Sequence, residues 1–127
     1  MKNTIITEIK NILSYYDGVS FINSDDSRDG LLIGISVDYI DTLTFSVNKY
    51  FEWENLLDSI DEIYPTFQFY CSYDTSGYVY WTNNMNESNH TFIDLWISDG
   101  FNIDTDMSQL IKTLDNILSK IDNFYFN

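Results

Sequence analysis

Ile5, Ile6, Ile9, Ile12, Leu13 and Tyr16 recur at three- and four-residue intervals with polar residues between them. Residues 4 to 16 are therefore predicted to form an amphipathic helix, which Asp17-Gly18 stops. The period then falls to two. Val19 to Asn23 reads as a strand, and Leu31 to Tyr39 as a longer one whose alternate residues Leu31, Ile33, Ile35, Val37 and Tyr39 share one face. Leu43, Phe45 and Val47 continue the alternation in an expected third strand.

Trp53, Leu56, Leu57, Ile60, Ile63 and Tyr64 restore the helical interval until Pro65 ends it, because proline lacks the amide proton that the next turn requires. Phe67, Phe69 and Cys71 then alternate with Gln68, Tyr70 and Ser72, and a turn near Asp74 to Gly77 leads into Tyr78 to Thr82. These segments predict a second hairpin. From His90 to Ile97, residues Thr91, Ile93, Leu95 and Ile97 fall on one side and Phe92, Asp94 and Trp96 on the other. Met107, Leu110, Ile111, Leu114, Ile117, Leu118, Ile121 and Tyr125 mark a last helix, with Asp104 or Thr105 as its expected cap. The order α-β-β-β-α-β-β-β-α predicts a single α+β domain over residues 1 to 127, with a mostly antiparallel sheet and helices packed chiefly on one face.

Composition supports a folded chain, with 44% hydrophobic and 17% aromatic residues in 127 positions, enough for one core. The opening MKNTIITEIKNIL carries charges inside its apolar pattern, so neither a secretion signal nor a membrane anchor is expected. A lone Cys71 fits a reducing compartment, and the expected location is cytoplasmic. The sequons at Asn86 and Asn89 then read as part of a polar loop.

Charge changes the picture most. Twenty acids stand against six Lys and Arg, a formal net charge of -14. Between Tyr50 and Ile111 there are 11 acids and no Lys or Arg. The heavy use of Ile, Asn, Tyr and Phe suggests an AT-rich genome, but such a genome supplies Lys as readily as Asn, and the chain has 13 Asn to 5 Lys. Base composition therefore does not explain the missing cations. So one-sided a charge repels nucleic acid, since affinity for a phosphate backbone comes from Lys and Arg, and it favours a basic protein partner.

Several sites can be weighed. In SDDSRDG, Asp25, Ser27, Asp29 and Gly30 occupy the first, third, fifth and sixth places of a calcium-binding EF-hand loop. The twelfth place is Ser36 rather than Glu, and a strand rather than a helix follows, so a solvated hairpin loop and no metal site are expected. Asp99, Asp104 and Asp106 do not form a designed cation site either. Cys71 and His90 are the only thiol and imidazole, zinc spacing and a phosphate loop are missing, and neither a catalytic set nor a cofactor is expected.

Two partner-binding surfaces remain: the helix face of Glu54, Asp58, Asp61 and Glu62, and a sheet face of Tyr70, Tyr78, Tyr80, Phe92 and Trp96 beside Asp94, with Asp74 nearby. A further helix or the C-terminal Phe124-Tyr125-Phe126 could instead cover that sheet face. Together these features predict a non-catalytic, stoichiometric inhibitor, an immunity protein that neutralises a toxin, with a basic nuclease the favoured target. The first alternative is a phage anti-defence protein acting on a CRISPR or restriction nuclease, with imitation of DNA as one route. From another class comes a small enzyme or ligand-binding domain with an aromatic pocket near Trp81 and Trp96.

Overall fold

The computed structural model describes residues 2–27, 29–37, 47–61, 69–76 and 90–126. Seven elements follow one another: α1 (Lys2–Leu13), β1 (Val19–Ser27), β2 (Gly30–Val37), α2 (Val47–Asp61), β3 (Phe69–Ser76), β4 (His90–Ser98) and α3 (Ile103–Phe126). The four strands pair antiparallel in the order β1-β2-β4-β3. The chain is thus an α+β fold, with β4 inserted between two strands that precede it.

The sheet offers a single alternation to the core. Leu31, Ile33, Ile35 and Val37 of β2, Ile93, Leu95 and Ile97 of β4, Cys71 of β3 and Val19 of β1 are all buried. They form one cluster with Ile5, Ile9, Ile12 and Leu13 of α1, with Trp53, Leu57 and Ile60 of α2, and with Leu110, Leu114, Ile117, Leu118 and Ile121 of α3. All three helices therefore cover the same face, as the two periodicities predict. No helix among the described residues is long and apolar enough to cross a membrane.

Three local expectations are corrected. First, most of SDDSRDG is strand: β1 runs to Ser27, which pairs with Gly30, so the hairpin connection shortens to the two residues between them. Such connections are favoured because their twist matches the strands they join. Carboxylates suit this position because β1 is an edge, where charge discourages further strand pairing.

Second, Val47 opens α2 instead of closing a strand. Three alternating residues make a short signal, and once Trp53, Leu57 and Ile60 seed a helix each preceding residue adds a backbone hydrogen bond. Leu43 and Phe45, like the expected strand Tyr78 to Thr82, lie outside the described residues. The order over the described residues is α-β-β-α-β-β-α.

Third, Asn102 caps α3. Its Oδ1 accepts the Asp104 amide at 2.9 Å, and its own amide donates to Asp106 Oδ2 at 2.9 Å. Asp104 and Asp106 instead place negative charge in the first turn, where the helix dipole favours it.

A bulge between Phe21 and Asn23 leaves Ile22 out of register and half exposed. Beyond it the alternation is rephased, so Ser24 and Asp26 fall on the helix side, level with Ile33 and Leu31. Lys2 Nζ reaches Asp26 Oδ1 at 2.7 Å, and Lys10 Nζ stands 4.6 Å from the Phe21 ring centroid. At the exit of α1, the Tyr16 hydroxyl donates to Asp115 Oδ1 at 2.6 Å and lies 2.7 Å from Ser119 Oγ, tying α1 to the middle of α3. Partial burial, and next this carboxylate, hold the phenol above its ordinary range, which keeps it a donor. Gly30 is required by a close approach, because a Cβ there would run into the Ile97 carbonyl oxygen.

Candidate interaction surfaces

The face of the sheet turned away from the helices gathers part of the expected partner surface. Register aligns Asp25, Leu32, Trp96 and Tyr70 in a row across all four strands. The next row is Asn23, Gly34, Asp94 and Ser72, and beyond it Ser36, Phe92 and Asp74 lie level. Strands about 4.8 Å apart and same-face residues roughly 6.7 Å apart make this a patch on the order of 14 Å wide. None of these positions holds a Lys or Arg.

Asp94 is the centre of the arrangement. Phe92 and Trp96 flank it along β4, while its cross-strand neighbours are Gly34, which has no side chain, and Ser72. Phe92, Asp94 and Trp96 are each half-buried, and Leu32 beside Trp96 is 36% exposed. A carboxylate set between two rings acts in a lower effective dielectric than one in open water, which strengthens its attraction for a cation. Tyr70 and Asp74 are placed by register alone, and Tyr78 and Tyr80 lie outside the described residues.

The alternative covers proposed for this face are partly resolved. All three helices lie on the opposite side, and Phe124 packs against Trp53 of α2 with ring centroids 5.3 Å apart. It belongs to the helical layer. Leu32 and Asp25 join the outer face, to which the sequence reading assigned neither, Asp25 having been weighed only as part of a metal loop. Leu32 is out of phase with Leu31, Ile33, Ile35 and Val37, a signal that could have identified it; Asp25 depends on the bulge, for which the sequence carries no clear mark.

The acidic helix face is on the other layer. Glu54, Asp58 and Asp61 recur at i, i+4 and i+7 of α2, which packs against β3. Glu54 is half-buried and Asp58 exposed; Glu62 lies outside the described residues. The fold therefore does not merge the two expected surfaces into one.

The chemistry-bearing residues are separated as well. Cys71 is level with Leu95, whereas His90 is level with Ser76, five residues along β4, or about 17 Å. Cys71 faces the core, and burial pushes its thiol from 9.0 up to about 12. Because the folded value is raised, the native state is expected to lose stability as pH climbs from about 9 towards about 12, where the unfolded thiol ionises first. Labelling by a disulfide reagent at pH 8 should run at least roughly a hundredfold slower than in urea, in keeping with the suppressed thiolate. A native rate equal to the unfolded one would refute this. The EF-hand resemblance also dissolves: Asp25 and Ser27 belong to a paired, extended strand, which cannot wrap its side chains around one ion. Among the described residues, no three His, Cys, Asp or Glu converge as a metal site.

No protein-family model, curated protein or solved structure matches the chain.

Proposed function

We propose that this chain is a non-catalytic inhibitor, an immunity protein that binds a basic toxin one-to-one, with a nuclease as the favoured target. The observation that carries the reading is the outer sheet face, where Asp94 stands between Phe92 and Trp96 beside Leu32, in a chain of net charge -14. Aromatic anchors supply interfacial area, and surrounding carboxylates accelerate encounter with a cationic surface. The chain is expected in the cytoplasm, where a toxin must be met.

The test is calorimetric titration of the protein against the product of the neighbouring toxin gene at about 50 and 300 mM salt. A one-to-one complex that weakens and associates more slowly at the higher salt is expected. An affinity independent of ionic strength would reject the electrostatic reading. A second function uses the same face: Asp74 and Asp94 are diagonal neighbours about 7–8 Å apart, a spacing that permits carboxylates to stand in for phosphates. In that case the protein is an anti-defence inhibitor of a CRISPR or restriction nuclease, and DNA competes with it for the enzyme.

A further inference from the structure

On the helical side, α1 and α3 leave an open cleft of about 690 Å³ between them. Glu8 and Ile12, one turn apart on α1, and Tyr15 in the turn that follows it line the cleft opposite Met107 and Ile111 of α3. The floor is apolar. Tyr15 is 75% exposed, the largest value among the exposed large hydrophobic residues described. Asp104 and Asp115 complete the rim with Glu8, against a single cation, Lys112. The Tyr16 hydroxyl, which donates to Asp115 and is hydrogen-bonded to Ser119 Oγ, fixes the two helices beside the cleft.

We infer that this cleft is a docking site for a basic amphipathic helix of a protein partner. From Asp104 to Asp115, α3 lines about 17 Å, three helical turns, which matches a guest helix presenting apolar residues at i, i+3, i+4 and i+7. Its flanking Lys or Arg would meet the three carboxylates. A small molecule fits poorly, because ligand sites enclose most of their guest and this cleft is open. A second copy would bring two such rims, on molecules of net charge -14, against each other. The site lies on the layer opposite the outer sheet face, and the inference goes beyond the inhibitor reading.

The experiment uses the full chain and a fluorescent 14-residue peptide of Leu and Lys in that helical pattern, with a scrambled peptide of equal composition beside it. Anisotropy is expected to show binding of the patterned peptide at least tenfold tighter than of the scrambled one. Met107→Lys and Tyr15→Ala should each weaken it about tenfold, while Trp96→Ala leaves it unchanged. Equal binding of the two peptides would reduce the effect to net charge and overturn the inference, as would indifference to Tyr15→Ala. That exposed substitution keeps the test decisive should Met107→Lys fail to fold. Self-association that Met107→Lys abolishes would assign the cleft to a second copy instead. Toxin titrations of Trp96→Ala and Tyr15→Ala, run in parallel, separate failure of the cleft from failure of the outer face.

Discussion

Trp53→Ala is expected to destabilise the protein by about 3–5 kcal/mol, the range for removing a fully buried aromatic side chain. Trp53 is 1% exposed, belongs to the cluster that joins α2 to the sheet and α3, and packs on Phe124. Truncation would remove both the transfer energy of the ring and the support of Phe124. In urea the loss should appear as a lower midpoint with a similar slope, and on heating as a fall of roughly 10–20 °C. Trp53→Phe retains a ring at the site and should lose less than half as much. A midpoint unchanged by Trp53→Ala would mean that α2 is not part of the cooperative core.

The largest functional effect is expected at Trp96. Trp96→Ala should weaken the proposed complex with a basic toxin at least roughly 30-fold, the 2 kcal/mol or more that marks a central aromatic anchor. Asp94→Lys should weaken it further by placing a cation where the partner's cation docks, whereas Asp25→Asn, at the edge strand, should chiefly slow association. Stopped-flow association and dissociation rates, with circular dichroism to confirm folding, read these effects separately. If Trp96→Ala and Asp94→Lys both bind as the parent does while Asp58→Lys does not, the contact belongs to the acidic face of α2.

Elements with long, regular periods were legible in the sequence. Leu110, Leu114, Ile117, Leu118 and Ile121 of the last stripe become the buried side of α3, and Leu31, Ile33, Ile35 and Val37 become the core face of β2. Period-two arguments failed where they had few residues to work with: Val47 fits an alternation of three but folds as the first turn of α2. The turn residues of SDDSRDG were overread, since Asp and Ser tolerate an edge strand when the partner strand offers a register. Asn102 was missed as a cap because three acceptable capping types crowd within four residues, and only backbone geometry decides among them.

The candidate surface was partly legible for a similar reason. Alternation along β4 correctly grouped Phe92, Asp94 and Trp96 on the face opposite the core. What brings Leu32 beside Trp96 is the pairing of β2 with β4, a contact between segments some sixty residues apart. Local periodicity carries no information about that neighbour.

The insertion of β4 between β2 and β3 also bears on how the chain reaches its native state. The hairpin of β1 and β2 can close early through a two-residue connection, but β3 has no place in the sheet until β4 arrives to bridge it to β2. On the ribosome, the acidic middle of the chain must therefore wait for residues 90 to 98 before the sheet can be completed. Its like charges keep it hydrated in the interval, and the late closure of a long loop becomes the expected slow step of folding.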